Sequence, residues 1–313
     1  MSSIIFPRPL RKGDRIAIIS PASAVKPEYV DGAARAIAAR GFAPVVMPHA
    51  KGPADGSFAA GERSRIADFT AAWNDTGTKA VLCARGGYGC VGILPAVPGS
   101  MLRANAKWLV GFSDVSALHA MLRSAGIASV HGPMAKHLTE EPADDPSTEA
   151  LFRMLTSEDD TEHSLPTGPL SFCGEAEGRI AGGNLAVLNG LASTRFDMLK
   201  CGPADDDVIL FLEDIAEPIY KVERVLWRLR LNGTLNRVAG LVFGAFTDYR
   251  PDRNFPSMEE MIRSRILDWG LEGIPVAFRF PAGHQRENLP ILEGSWARLS
   301  ITPETTTLKM SRR

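Results

Sequence analysis

Three side chains of this 313-residue chain have the types needed for acyl transfer, occurring in the order Ser113, Glu213, His284. A serine is a weak nucleophile at neutral pH. It needs a base, for which an imidazole has the right intrinsic pKa, and a third group to orient that base. Ser113 follows Trp108-Leu109-Val110, an apolar run with the length of a buried strand, and Gly111 permits a tight turn. Val115, Leu118, Met121 and Leu122 then recur at helical spacing. A serine at such a strand-to-helix corner projects its hydroxyl off the sheet. The next N–H, that of Asp114, lies at a helix N-terminus, where developing negative charge is favoured. The pattern Gly111-Phe112-Ser113-Asp114-Val115 lacks the second glycine of G-x-S-x-G, which weakens an α/β-hydrolase assignment, and helix capping by Ser113 or Asp114 is the competing reading.

A second loop has chemical character. Arg85-Gly86-Gly87-Tyr88-Gly89 follows an apolar strand, and its glycines let backbone N–H groups approach a phosphate or an oxyanion unobstructed. The loop is neither G-x-G-x-x-G nor a P-loop, so an anion hole beside the serine fits better than a nucleotide site, with a plain tight turn as the bland alternative. Of the six histidines, His119 lies six positions past Ser113 and points away from the corner, and the Gly-Pro after His131 suggests a turn. His284 follows a glycine in a loop after a strand, where a side chain is presented to a cleft. Glu213 closes the apolar run 208–212, and a carboxylate there is either partnered or placed in a cleft, making it the best-placed acid.

The elements that must position these groups alternate. Strand 14–20, helix 27–40 and strand 44–47 form a βαβ unit, followed by helix 62–76, strand 79–84, the Ser113 corner and strand 127–133. Residues 139–170, rich in Pro, Ser, Thr and acidic groups, mark a boundary, apart from a short helix near 147–155. Beyond it come strand 177–181, the turn Gly182-Gly183-Asn184, helix 185–192, strand 208–212, helix 218–231, strand 239–244, helix 257–269 and strand 274–280. Residues 296–301 and 305–310 alternate as antiparallel strands. The expected architecture is α/β: a Rossmann-like parallel-sheet domain over 1–165, and a smaller β-rich domain with few helices over 166–313. Trp73 and Trp227 read as core residues.

A net charge of −1 offers no electrostatic footprint for nucleic acid or an anionic membrane, and no apolar run is long enough to span one. Cys83, Cys90, Cys173 and Cys201 are too scattered for a zinc site or a disulfide framework and read as buried thiols in a cytoplasmic protein.

Taken together, Arg85-Gly86-Gly87-Tyr88-Gly89, Gly111-Phe112-Ser113-Asp114, His131-Gly132-Pro133, Gly182-Gly183-Asn184-Leu185, Leu212-Glu213-Asp214 and Gly283-His284 resemble, in order and approximate spacing, the LD-carboxypeptidase family of serine peptidases, which also contains the microcin C immunity peptidase. Six motifs in order displace the capping reading of Ser113. The resemblance implies Ser113 as nucleophile, His284 as general base and Glu213 as orienting acid, with Glu217 a second candidate. The implied oxyanion hole is the N–H of Asp114 with that of Gly86 or Gly87. Arg85 is placed to bind a substrate carboxylate, although a structural ion pair would serve it equally. The implied reaction is release of a carboxy-terminal D-residue, such as D-alanine from a murein tetrapeptide, with no metal or cofactor. An amidase acting on peptidyl or acyl-aminoacyl nucleotides and a non-catalytic peptide- or sugar-binding module are the alternatives. The expected partner is a small peptide, with a homodimer left open.

Overall fold

Strand β1 (Arg15–Ile19) is buried along all but its first residue, as a central parallel strand must be. In the computed structural model, which describes residues 4–200 and 206–313, the chain then turns through α1 (Pro27–Ala39) to β2 (Ala43–Val46), parallel to β1. Pro27 sits in the first turn of α1, where its missing N–H costs no hydrogen bond. There follow α2 (Glu62–Asn74), β3 (Thr78–Cys83), α3 (Gly99–Ala104), β4 (Trp108–Gly111), α4 (Ser116–Ser124) and β5 (Ser129–His131). The five strands run parallel in the order β2-β1-β3-β4-β5. This order reverses between β1 and β3, opening a crevice at the carboxyl ends of the strands. Arg85–Gly89 leaves β3 and Ser113 leaves β4 at that end.

Two helices, α5 (Ala135–Glu140) and α6 (Pro146–Thr156), lead to β6 (Thr161–Pro166). The second half contains β7 (Gly174–Asn184), α7 (Leu185–Gly190), β8 (Val208–Ile215), α8 (Ile219–Leu231), β9 (Val238–Thr247), α9 (Met258–Asp268), β10 (Val276–Ala277), β11 (Ile291–Glu293), β12 (Trp296–Ile301) and β13 (Thr305–Ser311). Its sheet has the order β10-β9-β8-β7-β12-β13-β6. From β10 to β7 the pairs are parallel, and from β7 through β12 and β13 to β6 they are antiparallel. The expected pairing of 296–301 with the following strand is formed, beside a parallel βαβ half that a purely β-rich reading understates.

Three elements depart from the sequence reading. β6 lies in the segment read as a boundary, and the expected division at 165/166 falls inside it; as an edge strand it buries only His163 fully, so it has little apolar periodicity. β11 leaves the second half altogether and pairs antiparallel with β5, completing the first sheet. The expected strand 274–280 shortens to two residues between Pro275 and Arg279, whose φ is +56°. Trp73 is buried, but Trp227 is 37% exposed: it flanks the buried stripe of α8 and meets Trp269 edge-on, with ring centres 5.0 Å apart. Cys83 and Cys90 are buried as expected, Cys173 is exposed, and Cys201 lies outside the described residues. Among the described residues no helix is long and apolar enough to cross a membrane.

The two sheets meet at α4, which packs on α7. There the Asn184 N–H donates to Ser116 Oγ at 2.9 Å. Gly183 has a φ of +127°, and a Cβ on it would lie 2.6 Å from that same oxygen. Gly183→Ala should therefore destabilise the fold by about 1–3 kcal/mol, through backbone strain and overpacking at the joint, as a lower urea midpoint would show.

Candidate active site

Ser113 has a φ of +65°, a left-handed conformation that costs an L-residue free energy and persists only where the surroundings impose it. Here β4 ends at Gly111, and a short 3-10 turn, Ser113–Val115, leads directly into α4. The glycine loop lies against this corner. A Cβ on Gly86 would sit 2.8 Å from Ser113 Cβ and 3.1 Å from the Asp114 nitrogen, so only glycine allows the approach. Gly87, with a φ of +100°, packs in the same way on Ser23, whose hydroxyl accepts from the Tyr88 N–H at 3.1 Å.

The side chain of Asp114 accepts from the Cys90 N–H at 2.8 Å, tying the far end of the loop to the corner. Burial outweighs these donated hydrogen bonds and raises the Asp114 pKa. Arg65 is buried and donates to the carbonyls of Gly89 at 2.8 Å and Pro21 at 2.7 Å. Neither side-chain contact has a local sequence signature, since their partners are backbone groups far along the chain.

The structure brings the three predicted side chains together. His284 Nδ1–H donates to Glu213 Oε2 at 2.6 Å, and the Ser113 hydroxyl faces His284 Nε2 at 3.0 Å. With Nδ1 donating to a carboxylate, neutral His284 leaves Nε2 to accept the serine proton. Glu213 is wholly buried, and its placement is local in origin. The β8–β9 register slips between Leu212 and Asp214, so that Gly244 and Ala245 oppose Glu213 alone, and such a bulge re-aims a side chain. The strand continues to Ile215, so Glu213 lies within it rather than at its end. Gly283, with a φ of +101°, carries the His284 loop over the acid; a Cβ there would lie 2.7 Å from Glu213 Oε2.

Burial alone would raise the Glu213 pKa, but contacts with His131 and His284 hold it well below the ordinary carboxylate range. The His284 bond at 2.6 Å is a formed hydrogen bond, whereas His131 stands 3.6 Å away and acts as an electrostatic neighbour. For His284, burial pulls the pKa down, but Glu213, Asp214 and Asp248 outweigh it and the net shift is upward. The next residue, Asp214, is pushed up to about 6 by burial and by the Glu213 charge, against hydrogen bonds from the N–H groups of Ile215 and Ala186 and from Asn184 Nδ2. Asp214 and Asn184 thus brace the ends of β8 and β7 beneath the acid.

Other candidates are placed elsewhere. Glu217 pairs with Lys221 at 3.4 Å, so the acid against His284 is Glu213. Arg85 is exposed and donates to the Ala24 carbonyl. His119 is turned away from Ser113, as its spacing predicts, and bridges Gly111 O and Ser129 Oγ at 2.8 Å each. His49, His137 and His163 are held by Asp68, Asp145 and the Pro290 carbonyl. His131, read as a turn residue, is instead wholly buried beside Glu213. A cavity of about 190 Å³ between Leu165, Phe278 and Thr306 is lined by none of the three aligned side chains.

The LD-carboxypeptidase N-terminal domain matches residues 16–132 and the LD-carboxypeptidase C-terminal domain residues 177–299. The chain belongs to the LD-carboxypeptidase family. It is 31% identical to the murein tetrapeptide carboxypeptidase of Pseudomonas aeruginosa, over 88% of this chain and 89% of that one. The crystal structure of muramoyltetrapeptide carboxypeptidase from Oxalobacter formigenes superposes with a TM-score of 0.79 at 26% identity, covering 95% of this chain and 98% of that one. The microcin C7 self-immunity protein MccF shares the fold, with a TM-score of 0.85 at 21% identity and 99% coverage of both chains.

The strain at Ser113 is open to measurement. Ser113→Gly should be more stable than Ser113→Ala by about 1 kcal/mol or more in urea unfolding, because glycine adopts positive φ freely.

Proposed function

We propose that this protein is a serine-type LD-carboxypeptidase that hydrolyses the amide between an L-centre and a carboxy-terminal D-residue, releasing D-alanine from a murein tetrapeptide in the cytoplasm during cell-wall recycling. The observation that carries this reading is the continuous hydrogen-bonded line Ser113–His284–Glu213, with the serine on one sheet and the acid on the other. Family membership and the names of the relatives support the substrate class.

Ser113 Oγ attacks the scissile carbonyl while its proton passes to His284 Nε2. The imidazolium that forms is stabilised by Glu213, which keeps its charge throughout. The new oxyanion develops against the N–H groups of Asp114 and of Gly86 or Gly87, in a corner where glycine lets the two backbones close on each other. His284 then gives its proton to the departing amine of the D-residue. Water, deprotonated by the same imidazole, attacks the acyl-enzyme, and collapse of the second tetrahedral intermediate frees Ser113. These groups account for every proton transfer. Arg85, exposed at the edge of the glycine loop, is the cation proposed for the terminal carboxylate of the substrate, exchanging its bond to Ala24 for a charge-assisted one.

Purified protein should release D-alanine from L-alanyl-γ-D-glutamyl-meso-diaminopimelyl-D-alanine, in the presence of chelator as in its absence, and Ser113→Ala should abolish release. Absence of release by folded protein would reject the assignment. The reaction needs neutral His284, whose pKa lies above the ordinary 6.5, so kcat/KM should fall on the acid side with an apparent pKa above that value. Glu213→Gln removes the largest upward influence and should shift that limb to lower pH while reducing kcat on the order of 10⁴-fold.

A further inference from the structure

Glu213 is an anion with two oxygens, and His284 satisfies one. The other, Oε1, is buried and has no hydrogen-bond partner among the described residues. Facing it at 3.6 Å is Nε2 of His131, itself without exposure, and neither ring nitrogen of His131 has a hydrogen-bond partner among the described residues. A buried charged oxygen and a buried ring N–H left unsatisfied side by side are each costly, and closing the 3.6 Å gap to hydrogen-bond distance satisfies both. Glu213 is the acid that stands 3.6 Å from His131, while Glu293, whose carboxyl oxygens also have no hydrogen-bond partner among the described residues, interacts with His131 electrostatically. The two nitrogens of His119 are engaged by Gly111 and Ser129. Glu293, on the neighbouring strand β11, is a buried carboxyl that burial pushes toward its protonated form.

The ring is also held in place. Phe211 meets it edge-on with centres 4.9 Å apart, and Phe112 lies tilted at 5.8 Å. His131 pairs in register with Gly111, the last residue of the strand that delivers Ser113, and with Ile291 of β11. It therefore joins the strand of the nucleophile to the acid on the other sheet.

We propose that His131 is a positioning residue of this peptidase, its Nε2–H donating to Glu213 Oε1 so that Oε2 stays aimed at His284. The inference rests on the reaction proposed above and adds a fourth member to its hydrogen-bonded line. His131 touches no reacting atom and acts through Glu213 alone. Loss of its N–H leaves the carboxylate free to turn, so fewer molecules hold His284 in the productive tautomer and orientation. The cost falls on kcat rather than on substrate binding.

The test compares His131→Gln, which retains a donor, with His131→Met, of similar length without one, in the full chain. Proton NMR in water reads the low-field His284 Nδ1–H signal, identified by its absence in His284→Ala, and D-alanine release gives kcat and KM. The Met variant should lose or broaden the low-field signal and lower kcat about 10- to 100-fold with KM within about twofold. The Gln variant should keep the signal and recover most of kcat. In a Glu213→Gln background, His131→Met should change kcat no further. His131→Phe, which keeps the ring packing, takes the place of the Met variant if that one does not fold. A folded donor-less variant with wild-type signal and kcat, or Gln and Met variants that are equally impaired, overturns the proposal. The NMR comparison needs no substrate, so wild-type protein that fails to release D-alanine rejects the reaction and still leaves the role of His131 decided by the signal.

Discussion

A carboxylate kept charged without contact with water is the constraint around which this molecule is arranged. Glu213 has no exposed surface, and an isolated ion in such a place would take up a proton or unfold its surroundings. It stays ionised because His131 lies 3.6 Å from one of its oxygens and His284, from the loop after β10, donates to the other at 2.6 Å. That one bond governs much else. It requires Gly283 and Gly244, since side chains at either position would fill the space between the loop and the strand. The slip in β8–β9 register falls at Glu213 itself, opposite Gly244 and Ala245. The same bond also raises the basicity of His284, whose Nε2 faces Ser113 on the other sheet.

The serine answers to a different constraint. Its backbone is held in a conformation that serine resists, and the energy is supplied by what lies on either side: β4 buried in the first sheet, α4 packed on α7, and the glycine loop pressed against the corner. Asp114 and Arg65 hold that loop by backbone contacts at Cys90, Gly89 and Pro21. Strain at Ser113 and close packing of the glycine loop on its corner are therefore one feature. Both depend on Gly86, where a methyl group would push the two backbones apart.

Much of this was legible in the sequence. The βαβ rhythm up to β5, the strands of the second half and the serine corner follow from apolar periodicity and from glycines at the turns. The order of the motifs singled out Glu213 and His284. What stayed hidden is what periodicity cannot encode. β6 and β11 are short or weakly apolar, and their partners lie far along the chain, so no local pattern announces them. The Gly and Pro that follow His131 predict a turn; its burial against Glu213 arises only when the two sheets meet. Ser116 and Asn184 share one hydrogen bond across that joint, and each alone looks like an ordinary helix-capping residue. The exposed Trp227 misled for the opposite reason, since a large aromatic next to a buried stripe has the same spacing as one within it.

The crossing of β11 into the first sheet bears on how the chain is made. A ribosome delivers residues in order, and the first sheet has β1 to β5 long before Ile291–Glu293 exists to cover β5. The nascent chain thus carries Ser113 beside a sheet whose β5 edge is uncovered, and that edge is closed by a strand that begins seven residues beyond His284. Completion of the first sheet and arrival of the His284 imidazole are events of the same short stretch of synthesis. The line Ser113–His284–Glu213 is therefore complete only once the stretch that closes the first sheet has emerged.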